Sequence, residues 1–211
     1  MTALLLAAAL AFTEADAATT LQTTRAFVEE CTPRDAGTIR SGIAANWLLD
    51  HASMTGADVR RDVFRAKTPD GEECQGGVYA ENDGLQGSKR AVEYLKEKGL
   101  PVQAVLVLDM LGDRDLHISI PANSTTSLAK IACHAARRIG HEGLVTRSDL
   151  SVKDDHVPFL DAGYNAIDLI DFEYGPGNSW WHTEDDTCDK LSEASILKSG
   201  RLVCELLKIL L

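Results

Sequence analysis

The stretch VQAVLVLD, from Val102 to Asp109, is an almost uninterrupted run of apolar residues that ends in an acid. A run without polar alternation is typical of a strand that is buried on both faces of a parallel sheet. The segment from Ala166 to Ile170 is predicted to be a second buried strand. We expect the two strands to be neighbours, with the residues that follow them at one edge of the sheet, where α/β proteins place their sites.

Helical patterns alternate with these strands. Ser88 to Lys98 is predicted to be a helix, Ser124 to Ile139 is another with Ser124 at its N-cap, and a final amphipathic helix opens at Ser192. Leu116 to Ile120 is predicted to be a shorter strand. Two N-terminal helices are predicted at 21–31 and 39–52, a strand at 59–66 and a long polar loop at 67–87. This order predicts an α/β fold, a three-layer α/β/α sandwich with a mixed, mostly parallel sheet.

Length and charge narrow the class of protein. The 211 residues suffice for one domain, and the formal net charge is -11. A surface this acidic repels phosphate backbones, so we expect no nucleic-acid partner. The five cysteines are too few for a disulfide scaffold, and none has the spacing of a structural zinc site.

The N-terminal segment carries the one membrane-related signal. Ala3 to Phe12 is apolar but too short to span a bilayer, and Ala15-Asp16-Ala17 has the small-x-small form of a signal peptidase site. We expect residues 1–17 to be a signal peptide, residues 18–211 to form one domain, and the soluble mature protein to be secreted or periplasmic. No Lys or Arg precedes the apolar run, and a buried start of a helix is the alternative interpretation.

Two acidic motifs are candidates for chemistry. In Asp70-Gly71-Glu72-Glu73, adjacent carboxylates in an extended backbone point to opposite sides, so one can bind a metal while the other serves as acid or base. Adjacent acids in a polar loop are more often simply solvated. Asp109 is costly to bury at the end of a strand unless it is paired or metal-bound, with an N-cap or a salt bridge as the alternative.

Two histidines complete the candidates. His182 follows Trp180 and Trp181 in a loop, which suggests an apolar pocket with one polar group, although a core histidine bonded to a backbone carbonyl fits as well. His156 follows Asp154 and Asp155 and precedes a short helix.

These motifs resemble the M28 family of zinc-dependent exopeptidases and glutaminyl cyclases. The matching segments are DGEE at 70–73, GS at 87–88, LDMLG at 108–112, DDHVPF at 154–159 and WHTEDDT at 181–187, in the family's order. The DDH triplet favours the glutaminyl-cyclase-like branch. The resemblance implies a zinc-exopeptidase-like fold and a zinc-dependent aminopeptidase that acts on peptide N-termini, with a glutaminyl-peptide cyclotransferase as the alternative.

The resemblance also assigns roles to individual residues. It implies that Glu72 is the general base or acid and that Glu73 and His182 bind one zinc. Asp109 would bind a second zinc in the peptidases or hydrogen-bond to the catalytic glutamate in the cyclases. Pocket residues would be Asp155, His156 and Trp181.

Part of the family's metal site is absent from this sequence. The family has a strand ending in His-x-Asp and a Gly-Ala-Asn-Asp-Gly-like loop before DGEE, whereas Phe64 to Pro69 runs directly into Asp70. We therefore expect an internal deletion near 67–70, a sheet that lacks some strands, and weak or partial zinc occupancy. The exposed edge of Val102 to Leu108 would promote self-association, and a non-catalytic or truncated relative is the third hypothesis.

Overall fold

The computed structural model describes residues 11–32, 39–54, 65–67, 73–75 and 85–211. Asp70 and Glu72 lie outside the described residues, as does most of the strand predicted at 59–66. The helices are α1 (Glu14–Cys31), α2 (Ile39–Met54), α3 (Gln86–Lys98), α4 (Thr126–Arg138), α5 (His156–Asp161) and α6 (Glu193–Leu210). The strands are β1 (Arg65–Lys67), β2 (Glu73–Gln75), β3 (Val105–Asp109), β4 (Ile118–Ile120), β5 (Val145–Arg147) and β6 (Ala166–Ile170).

Four strands form the main sheet in the order β3-β6-β4-β5. β3 and β6 are parallel, with Val105 opposite Ala166 and Asp109 opposite Ile170. β4 and β5 are also parallel, whereas β4 and β6 are antiparallel. The predicted pairing of the two apolar runs is confirmed, and so is the mixed, mostly parallel sheet.

Helices cover both faces of this sheet. Because side chains alternate along a strand, Ile167 and Leu169 of β6 lie in a core formed with α4 and α6, which includes Leu128 and Leu202. Ala166 packs on the opposite face against α3 and α5. Burying each such Leu or Ile contributes about 1.5–3 kcal/mol. The three-layer α/β/α arrangement follows, with α1 packed on α6 outside it.

β1 and β2 form a separate antiparallel pair, in which Arg65 lies opposite Gln75 and Lys67 opposite Glu73. The prediction of one loop over 67–87 was wrong for 73–75, because strands of three residues are too short to show an alternating pattern. Glu73 therefore lies outside the sheet that carries Asp109. Among the strands that the structure describes, β3 has a partner on one side only.

Helix α1 begins at Glu14, earlier than the predicted 21–31 helix. Thr13 accepts a hydrogen bond from the backbone N–H of Asp16, and the Asp16 carboxylate accepts from the N–H of Thr13. This capping box satisfies two N–H groups at the helix start. The predicted cleavage motif thus lies in the first turn of α1, with Ala17 buried. In the described part of the chain, no helix has the length and apolarity to cross a membrane.

Candidate functional site

Asp109 is the last residue of β3, and the chain turns sharply after it. Met110 has a φ of 57°, in the left-handed region that non-glycine residues seldom occupy. The backbone oxygen of Asp109 accepts a hydrogen bond from the N–H of Asp171, 3.3 Å away, at the end of β6. The carboxyl ends of the two strands are therefore fixed side by side, with Asp109 half-buried between them.

The loop after β6, residues 171–191, carries Trp181 and His182. Buried Tyr174 donates a hydrogen bond to the Asp186 carboxylate at 2.5 Å, which ties the two ends of the loop together. Gly175 has a φ of 76° and faces the Trp180 ring so closely that a Cβ at this position would lie 2.4 Å from it. The His182 ring stacks on Trp181, with centroids 4.0 Å apart. His182 has a φ of 56°, so strained backbone flanks the site on both sides.

Asp109, Trp181 and His182 line one cavity of about 750 Å³. Apolar side chains from β3, α6 and the segments beside them form most of its wall, including Leu108, Leu111, Leu191, Ile196 and Val203. Three residues that the sequence singled out are thus brought together. The other two pocket candidates, Asp155 and His156, are not among the residues that line this cavity.

Burial and neighbouring charges together determine the pKa of Asp109. Burial raises the pKa of Asp109, the charges of Asp154 and then Asp155 raise it further, and His182 opposes the shift. Asp154 is half-buried, whereas Asp155 is exposed. Sequence reasoning gave the pocket role to Asp155, but Asp154 acts more strongly on Asp109.

A second acid was missed altogether. Asp168 is fully buried in the middle of β6, where burial and the charges of Asp154, Asp109 and Asp155 raise its pKa to about 8. Its carboxylate lies 3.6 Å from Nδ1 of the equally buried His156. The signal was present in the sequence, because an acid inside the apolar run Ala166–Ile170 is as unusual as Asp109 at the end of the first apolar run.

Asp109 and His182 are chemically suited to bind zinc, which takes carboxylate oxygens and imidazole nitrogens as ligands. Within the described residues, however, no three His, Cys, Asp or Glu side chains converge as a metal site requires. Of the remaining predicted participants, Glu72 lies outside the described residues, and only the backbone of Glu73 is described. The described part of the site thus brings two of the predicted zinc ligands, Asp109 and His182, to a single cavity.

Comparison with known proteins gives a family and a fold. The family model of peptidase family M28 matches residues 70–207. A glutaminyl cyclase from an Acidobacteriales bacterium has 22% identity and a TM-score of 0.83 over 92% of this chain and 94% of that one. The glutaminyl cyclase of Porphyromonas gingivalis has 18% identity and a TM-score of 0.79 over 95% of this chain and 99% of that one. A Zn-dependent exopeptidase from Parabacteroides distasonis has 13% identity and a TM-score of 0.76 over 94% of this chain and 99% of that one. No curated protein matches the chain.

Proposed function

The chain belongs to peptidase family M28, and from this premise we propose that it is a zinc-dependent aminopeptidase that acts on the N-termini of peptides. The observation that carries the proposal is the shared cavity of Asp109 and His182, because both residues lie within the range that matches the family. The apolar wall around this polar end suits a peptide whose first side chain is uncharged.

Each residue has a proposed part in this reaction. Glu73 and His182 would hold zinc, which supplies a Lewis acid that polarises the scissile carbonyl when it is bound. Glu72 would take a proton from the attacking water and deliver it to the leaving amine. Asp109 would hold a second zinc or accept a hydrogen bond from Glu72, and Trp181 would exclude water. Asp155 and His156 remain proposed pocket residues.

Cyclisation of an N-terminal glutamine is the second candidate, because burial and then the charges of Asp154 and Asp155 raise the pKa of Asp109. A carboxyl group with a raised pKa is better able to pass a proton in a reaction in which the α-amine attacks the side-chain amide carbon and ammonia leaves. One proton must then pass from the amine to the leaving group. In hydrolysis the attacking group is water instead, so the two reactions are distinguished by product and not by the residues involved.

We expect zinc to bind weakly, so that activity is impaired or absent. A catalytic zinc normally has three protein ligands, and the family's His-x-Asp and Gly-Ala-Asn-Asp-Gly-like segments do not occur before DGEE in this sequence. Losing even a residue that only supports a ligand typically reduces affinity by about 10–100-fold. Purified protein should therefore contain less than one equivalent of zinc, and His182→Gln should remove what remains. His134→Gln, on the exposed surface of α4, is the matched control.

Calorimetric zinc titration, combined with assays on aminoacyl and N-terminal glutaminyl peptides, tests this proposal. Release of the first residue supports the aminopeptidase, and release of ammonia supports the cyclase. Since little activity is expected, Glu72→Gln should change turnover as little as the exposed control Glu142→Gln. Full zinc occupancy after dialysis with turnover abolished by Glu72→Gln would contradict impairment. A folded protein without zinc or turnover would point to a non-catalytic relative.

We further propose that the protein is secreted or periplasmic, with a mature N-terminus at Ala18. The support is the apolar run before Ala15-Asp16-Ala17. Intact-mass analysis of exported protein should give the mass that begins at Ala18. Cleavage there would remove the Thr13 cap and the first turn of α1. A mass that retains Met1 on exported protein would rule the cleavage out.

A further inference from the structure

Two fully buried polar side chains lie close to the candidate site. His156 is the first residue of α5, and Asp168 is the central residue of β6. Nδ1 of His156 lies 3.6 Å from Oδ2 of Asp168, just beyond hydrogen-bonding distance. Among the residues that the structure describes, none of the four polar atoms in these side chains has a hydrogen-bonding partner. Buried polar groups in native proteins are nearly always partnered, so this pair needs an explanation.

Packing alone does not explain the pair. All five residues of β6 are buried, and the other four are apolar. A leucine at position 168 would add apolar contacts and remove a buried polar group, and such replacements of buried ionisable pairs are often neutral or stabilising. The pair is therefore better explained by what it holds in place than by its contribution to stability.

The position of the pair connects the middle of the sheet to the acidic loop. Asp168 lies opposite Val107 of β3, two residues before Asp109. His156 directly follows Asp154 and Asp155. The backbone oxygen of Asp154 accepts a hydrogen bond from the N–H of Val157 at 2.8 Å, and its carboxylate accepts from the N–H of Asp155 at 2.5 Å. The loop and the first turn of α5 thus form one local unit.

The ionisation of the two groups is consistent with direct pairing. Burial raises the pKa of Asp168, with Asp154, Asp109 and Asp155 adding to the shift, and burial lowers the pKa of His156. A protonated carboxyl and a neutral imidazole need no counter-ion. A small rotation of either side chain would let them share one hydrogen bond.

We propose that His156 and Asp168 form a positioning pair, which fixes the first turn of α5 to the middle of β6 and thereby holds Asp154 and Asp155 beside Asp109. The relevance of these carboxylates to catalysis rests on the proposed function. The contact itself and its effect on the loop do not depend on zinc or substrate.

Amide hydrogen exchange on the full chain tests the pair without an activity assay. In Asp168→Leu the amides of Asp155 and Val157 should exchange about five to ten times faster, because the variant loses the net stabilisation of one hydrogen bond, the one proposed between His156 and Asp168. The amides of α4 and α6 should stay as protected as in the wild type. Asp168→Asn, which can still pair with the imidazole, should restore protection of the loop.

Leu169→Ala is the matched control, because Leu169 lies on the same strand but faces the core formed with α4 and α6. It should accelerate exchange throughout the domain. If Asp168→Leu leaves residues 154–157 as protected as in the wild type, or speeds exchange uniformly as Leu169→Ala does, the positioning role is wrong. If Asp168→Leu fails to fold, exchange at residues 154–157 is compared between His156→Leu, which removes the pairing, and Asp168→Asn, which keeps it. Equal protection in these two variants would likewise show that the positioning role is wrong. Absence of turnover in the wild type would contradict the proposed function only.

Discussion

At the scale of single residues, carboxylates crowd the carboxyl ends of β3 and β6. Burial is the main cause of the raised pKa of Asp109 and of Asp168, and the charges of Asp154 and Asp155 add to it. Asp109 and Asp168 are harder to ionise because they are buried and because their neighbours are negative. This cluster of carboxylates favours the binding of protons or cations at the site. It also makes the stability of the fold dependent on pH.

Asp168→Asn should reveal this dependence. In the folded chain the pKa of Asp168 is about 8, against an ordinary value of 3.8. Between these values the unfolded chain has released the proton and the folded chain retains it, so stability falls as pH rises. The variant has no such group, and its free energy of unfolding relative to the wild type should increase steadily from about pH 4 to about pH 8.

Urea unfolding at several pH values in that window measures the difference. Asp149→Asn, at an exposed position, is the matched control and should give a difference that does not vary with pH. A difference for Asp168→Asn that is equally flat would show that Asp168 ionises as easily in the fold as in the unfolded chain.

At the scale of elements, the loop 171–191 is held by its own side chains. Tyr174 bonds Asp186, Lys190 lies 5.1 Å from the centre of the Trp180 ring, and Gly175 allows that ring to approach the backbone. These contacts determine where Trp181 and His182 are placed. The loop is therefore a positioned element, although it contains no strand and only short turns of helix.

Gly175→Ala should disturb this element more than Gly177→Ala. Both glycines have positive φ, 76° and 64°, so each substitution introduces backbone strain, about 1 kcal/mol at Gly177 and more at Gly175, whose ψ of 172° belongs to a conformation that only glycine readily adopts. Only at Gly175 would the new Cβ also collide with Trp180, whereas nothing lies within 4 Å at Gly177. Overpacking adds about 1–3 kcal/mol. Thermal unfolding and tryptophan fluorescence should show the larger change for Gly175→Ala, and equal losses would mean that the Trp180 contact is unimportant.

At the scale of the whole molecule, β3 is an edge strand of the described sheet. Leu108 near its end is 49% exposed. An unpaired, apolar strand edge is a template for association with another chain. The internal deletion that the sequence predicts near 67–70 would remove strands that otherwise cover this position.

We expect the protein to self-associate at high concentration through β3. Leu108→Lys should shift it toward the monomer, because a charged residue on an edge strand opposes pairing. Leu150→Lys changes a leucine that is 74% exposed but follows β5, at the opposite edge of the sheet from β3, and it should leave association through β3 unchanged. Size-exclusion chromatography with light scattering compares the three proteins. A monomeric wild type at all concentrations would rule out this interface.

The parts of the fold that the sequence predicted are those with a strong local pattern. The apolar runs gave β3 and β6, and the helices followed from periodicity and stop signals. Strands of three residues, such as those containing Lys67 and Glu73, carry no pattern of their own. Asp168 was missed because its apolar neighbours dominate the strand, and the pairing with His156 depends on a fold in which distant segments meet. The placement of Asp109 and His182 at one edge of the sheet was predictable, because β3, which ends at Asp109, and β6, which precedes His182, are parallel neighbours.

The strand order has a consequence for how the chain folds as it is made. β6 is the last strand in the sequence, yet it lies between β3 and β4. Residues 110–170 must be synthesised before β3 finds its partner, which takes about 3–12 s at about 5–20 residues per second. Throughout that interval β3 has no partner in the main sheet, whereas β4 can pair with β5 once residues 145–147 have been made. Biosynthesis is thus a stage at which the unpaired edge of β3 is open to contact with other chains.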